Sequence, residues 1–178
     1  MHNEYFDFWE ELKRWRSTSS GFAGYSEFLI FRYLYHMLKE LGEKFEDIKT
    51  GKVGTDAVIF RSDNYEIANG ATIHLNGKTR KPDIYIKDLR TEKYVAIIEI
   101  KILINSPAVV KDIVKRWREY QDTIPKAKKL LVIYHPSNSY ETSRHLLEEF
   151  AVDHVVLKDN DTLLKDIIME KVLGDLGN

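Results

Sequence analysis

The chain has 178 residues, no cysteine and a formal net charge of −1, with 43% hydrophobic and 31% charged residues. That composition fits one globular domain with an ample core, and it excludes disulfides and thiolate metal sites, leaving oxygen and imidazole ligands. No apolar run approaches the ~20 residues of a membrane span, and the stretch Met1 to Tyr5 lacks the basic and apolar regions of a secretory leader, so a cytoplasmic, intracellular protein with no membrane partner is expected.

Phe8, Leu12 and Trp15 recur at helical spacing, predicting a short N-terminal helix that the run Ser17 to Gly21 ends. A stronger helix is expected from about Tyr25 to Leu41, stopped by Gly42. Its apolar positions span a wide arc, as for a helix packed deep against a sheet. Extended segments follow: Ala57 to Phe60, then Tyr65 to Leu75, with Asn69-Gly70 and Asn76-Gly77 as tight-turn signals. Beyond two further strands, Ser106 and Pro107 mark a helix start. That helix should run to about Thr123. Leu130 to Tyr134 is a continuous apolar strand, followed by a helix near Tyr140 to Phe150, a strand at His154 to Leu157 and a last amphipathic helix capped near Asp161. Strand pairs joined by short turns, then a helical crossover, imply an α/β fold with a mixed central sheet flanked by helices. The whole chain, 1–178, reads as one domain, with an N-terminal helix and loop (1–24), a core (25–158) and a C-terminal helix (159–178).

The two strands ahead of Ser106 carry the chemistry. One contains Pro82-Asp83, and Glu99-Ile100-Lys101 lies sixteen residues beyond that aspartate. Alternate strand residues share a face, so Glu99 and Lys101 should point the same way, and a hairpin partner can bring Asp83 alongside. Two acids and an ammonium so placed lose solvation and the acids repel. A divalent cation offsets that cost, which points to metal-assisted hydrolysis.

Pro82, Asp83, Glu99 and Lys101 resemble the motif of the PD-(D/E)xK nuclease superfamily, the restriction-endonuclease-like fold shared by Holliday-junction resolvases and repair nucleases. The resemblance covers residues 25 to 158. It implies an αβββαβ core, here with an extra N-terminal helix and a C-terminal strand and helix. It further implies Mg²⁺ or Mn²⁺ held by Asp83, Glu99 and the main-chain carbonyl of Ile100, with Lys101 beside the attacking water. A third acid often comes from the helix before the sheet, and Glu27 matches that position; the alternative is an exposed acid favoured at a helix start. Gln121 shares a helical face with Val110, Val114 and Trp117 and loosely matches a glutamine some nuclease families place near the site. It is therefore expected to point inward.

Charge distribution agrees with a phosphodiester substrate. Between residues 78 and 129, Lys and Arg outnumber Asp and Glu by 14 to 7, while both flanking stretches are net negative. A positive region around the acids favours an anionic ligand. Lys111, Lys115, Arg116 and Arg118 are candidate phosphate contacts. His74, His135 and His154 are not paired at metal spacing, and no Gly-rich phosphate loop ends in Lys-Ser or Lys-Thr. The expectation is a Mg²⁺- or Mn²⁺-dependent deoxyribonuclease, with branched or structured DNA among its candidate substrates and a homodimer by analogy. Its alternative is a non-catalytic nucleic-acid- or protein-binding module of the same fold.

Overall fold

The computed structural model describes residues 22–48, 57–157 and 164–174. The expected N-terminal helix and the cap near Asp161 lie outside them. Helix α1 (Phe22–Glu40) opens the described chain. It ends in a Schellman motif: Gly42, at φ 101°, donates to the Lys39 carbonyl, and Glu43 donates to Leu38. Only glycine adopts that left-handed backbone without strain, so the stop signal read at Gly42 has a direct physical cause.

Strands β1 (Glu46–Ile48), β2 (Val58–Arg61), β3 (Tyr65–Asn69), β6 (Ile84–Asp88), β7 (Lys93–Leu103), β8 (Lys128–His135) and β9 (His154–Val156) form a seven-stranded sheet in the order β1-β2-β3-β6-β7-β8-β9. Every pairing from β1 to β7 is antiparallel, whereas β7–β8 and β8–β9 are parallel. The expected mixed sheet flanked by helices is present. It is larger than the sequence pattern announced, because β1 extends one edge. The stretch Tyr65 to Leu75 also divides at Asn69-Gly70. Its second part, β4 (Ile73–Leu75), pairs only with β5 (Lys78–Arg80) as a separate hairpin. The hairpin turn Asn76-Gly77 has φ of 48° and 76°, the positive pair that a two-residue type I′ turn demands.

Helices cover both sheet faces. Helix α1 packs over Ile67, Ile84, Ile86, Ile98, Ile100 and Val132, joined by α4 (Leu164–Ile168) and the π-helical turn Met169–Leu173 that continues it. On the other face, α2 (Pro107–Thr123) and α3 (Asn138–Glu149) cover Tyr85, Ile97, Leu131 and Ile133. No described helix is long and apolar enough to cross a membrane.

The turn between β6 and β7, with the bulge that shifts the register between Ile86 and Lys87, aligns the pair that holds the candidate site. Asp88 organises it, accepting from the backbone N–H of Arg90 (2.8 Å) and Thr91 (3.3 Å) and from the Arg90 guanidinium (3.1 Å). The hydrogen bond from Arg90 holds the Asp88 carboxyl below its ordinary pKa. A lowered carboxyl pKa stabilises the fold above the unfolded value and loses that effect as pH falls through the folded one. Asp88→Ala should therefore cost about 1–3 kcal/mol at pH 7. Urea titrations should show the gap to wild type shrinking below about pH 4; a gap that does not change with pH would mean the carboxylate charge is irrelevant to the turn.

Candidate functional site

β6 pairs with β7 only as far as Ile84 opposite Ile98. One step further along this register, Asp83 stands across from Glu99. Because β6 has stopped, no strand among the described residues pairs with Ile100 on that side, and its N–H donates to Asp83 Oδ2 at 2.6 Å. The N–H and C=O of one strand residue point to the same neighbour, so the Ile100 carbonyl opens toward the same space. Asp83 is half-buried behind a buried Pro82.

Glu99 is 3% exposed, on the sheet face covered by α2. Its neighbours along that face of β7 are Ile97, in the core under α2, and Lys101, half-buried toward the strand end. Two residues of α2 hold its carboxylate: the Tyr120 hydroxyl donates to Oε1 at 2.9 Å, and Arg116 Nη1 donates to Oε2 at 3.0 Å. Burial, then the negative charge of Asp83, raise the Glu99 pKa; Arg116, Lys101 and the Tyr120 hydrogen bond pull the other way without prevailing. The Tyr120 phenol is in turn pushed well above its ordinary range by burial and by the Glu99 charge, so it remains a donor. Asp83 and Lys101 thus both act electrostatically on Glu99, which brings two acids and one ammonium together where β6 ends.

The remaining candidates separate. Gln121 is exposed, which corrects the inward orientation read from its spacing. The stripe α2 turns to the sheet in its last turns runs through Ile113, Trp117 and Tyr120 toward Ile124, at steps of four, three and four. Gln121 falls one residue past that stripe, and Tyr120 takes the inward place. Glu27 lies half-buried on α1, between the fully buried Ser26 and Phe28, and α1 packs on the sheet face opposite Glu99. Among the described residues no three Asp, Glu or His side chains gather closely enough to hold one metal ion. Glu27 does not complete such a trio with Asp83 and Glu99. Of the four basic residues, Arg116 turns to Glu99, whereas Lys111, Lys115 and Arg118 are exposed.

Tyr120 escaped the sequence reading, and Arg116 was read only as a phosphate contact. The usable signal was the pair itself: Arg116 and Tyr120 are four apart on a helix crossing over the strand that bears Glu99.

Comparison of the chain with family models, with curated proteins and with solved structures gives no match. What the site can do therefore rests on its own geometry.

The raised Glu99 pKa carries a stability consequence. An acid whose folded pKa is raised stabilises below its unfolded value and destabilises as pH climbs past it. Glu99→Gln, which mimics the protonated form, should melt above wild type at pH 8 in EDTA and lose that advantage toward pH 4. A variant that melts far below wild type at pH 8 would make Glu99 a structural counter-ion for Arg116 instead.

Proposed function

We propose that this chain is a divalent-cation-dependent nuclease of the PD-(D/E)xK type, hydrolysing phosphodiester bonds in DNA. The observation that carries the proposal is the meeting of Asp83 and Glu99 at the end of β6, with Lys101 on the Glu99 face of β7. The chain order also supports it: α1, the antiparallel strands ending in β7, α2 and then β8 parallel to β7 follow the αβββαβ sequence of that fold.

The donor set suits a hard cation. Mg²⁺ and Mn²⁺ take oxygen ligands, commonly one or two carboxylates with water and substrate phosphate filling the rest. Asp83, Glu99 and the Ile100 carbonyl supply oxygens, and a cation would relieve the repulsion between the two acids. Once bound, it would polarise the scissile phosphate and acidify water.

The protein's own groups have distinct tasks. Asp83 already spends one oxygen on the Ile100 N–H, which fixes its carboxylate plane. Tyr120 and Arg116 do the same for Glu99 from α2. Lys101 lies on the same face, where its ammonium can orient the attacking water, take part in its deprotonation and stabilise charge on the phosphate. A single centre cuts one strand at a time, so scission of a duplex calls for a homodimer.

The test is cleavage of labelled linear, circular and junction DNA with Mg²⁺ or Mn²⁺. Wild type should cut and EDTA should stop it. Asp83→Ala and Lys101→Ala should be slower by about 10²-fold or more, Tyr120→Phe should lose less, and Gln121→Ala should match wild type. Wild-type rates for Asp83→Ala and Lys101→Ala would remove the assignment. Salt-sensitive binding with no cutting would leave a non-catalytic module.

A further inference from the structure

Lys111, Val114, Lys115 and Arg118 of α2, with Leu146 and Phe150 at the end of α3, line a groove of about 300 Å³. Steps of four and three place the cations on one side of α2, while Arg116 leaves the helix elsewhere to reach Glu99. The Arg118 guanidinium lies 3.9 Å from the centre of the Phe150 ring, a cation–π contact that holds it against the groove wall. None of the three cations pairs with a carboxylate of the described residues, although acids are near: Arg144 on α3 takes up Glu148 at 3.2 Å and Glu141 at 3.9 Å. The groove therefore joins an un-neutralised row of positive charge to an apolar wall.

We propose that this groove binds single-stranded nucleic acid, with phosphates along Lys111 and Lys115 and a base stacked on the Arg118–Phe150 platform. This rests on the phosphodiester reading of the Glu99 centre and names the form of its substrate. Three features select the ligand. The row of cations tracks a polyanion. The apolar wall formed by Val114 and Leu146 suits a base face, which a duplex keeps hidden in its stack. A guanidinium held against an aromatic ring presents planar π surfaces that serve any base and ask for no sequence. An acidic peptide would satisfy the charges and leave the platform unused.

Fluorescence anisotropy on the full chain in EDTA, where no cutting occurs, tests this with labelled oligo-dT and a duplex of equal length. Reversing all three charges (Lys111→Glu, Lys115→Glu, Arg118→Glu) should weaken oligo-dT binding about tenfold or more and shrink its log–log salt slope by about 2. Arg118→Lys keeps the charge and loses the plane. It should weaken oligo-dT several-fold and leave the duplex unchanged. The proposal is overturned by wild-type oligo-dT affinity in the charge reversal, by equal losses for both probes in Arg118→Lys, or by polyglutamate displacing oligo-dT as well as unlabelled oligo-dT does. Should the reversal fail to fold, Lys111→Gln with Lys115→Gln gives the same reading with a smaller loss. Cutting is scored with Mg²⁺ or Mn²⁺ and groove binding in EDTA, so failure of the cleavage reading and failure of the groove show in different measurements.

Discussion

A carboxylate held almost entirely away from water, one strand from a second carboxylate, is the constraint on which the rest of this structure turns. Glu99 is 3% exposed, and Asp83 raises its pKa. Removing such a charge from solvent costs several kcal/mol unless hydrogen bonds and opposite charge offset it. The fold supplies part of that offset through Tyr120, Arg116 and Lys101 and leaves the net effect unfavourable to the ionised form. An apolar residue would be easier to accommodate between Ile97 and the strand end. A site that keeps such an acid, and turns two residues of a helix to hold it, is a candidate for function rather than for stability.

Another buried acid on the same sheet face makes the contrast plain. Glu66 is 5% exposed, accepting from the Tyr85 hydroxyl at 2.6 Å and from Arg61 at 2.5 Å. Tyrosine and arginine hold both acids, but the residue across from Glu66 on β6 is Lys87, whereas the register places Asp83 across from Glu99. The added charge of Asp83, rather than burial alone, marks the Glu99 end of the sheet.

Much of this was legible in the sequence because it follows from period. Two-residue alternation put Glu99 and Lys101 on one face. Glycine at Gly42 and Asn76-Gly77 announced positive φ, and the apolar run around Leu131 announced a strand enclosed between neighbours. What escaped has physical reasons too. β1 is three residues long and shows no alternation against its surroundings. Asn69-Gly70 signalled a turn, but that the segment beyond it pairs only with β5 depends on where β6 begins, which is a matter of pairing and not of local pattern. Gln121 and Tyr120 are adjacent, and which one turned inward was decided by the stripe Ile113–Trp117–Tyr120. The order of strands and helices could be read in advance; the side chains that hold the Glu99 carboxylate could not, since they depend on how α2 lies across the sheet.

One contact at this site has a second effect. Where β6 stops, β7 runs on to Leu103 without a strand partner on that side among the described residues, and an unpaired strand margin invites invasion by another extended chain. The Asp83 carboxylate occupies the first vacant N–H, at Ile100. A carboxylate at that point discourages another extended segment from zipping alongside β7, so the residue that faces Glu99 also guards a margin of the sheet.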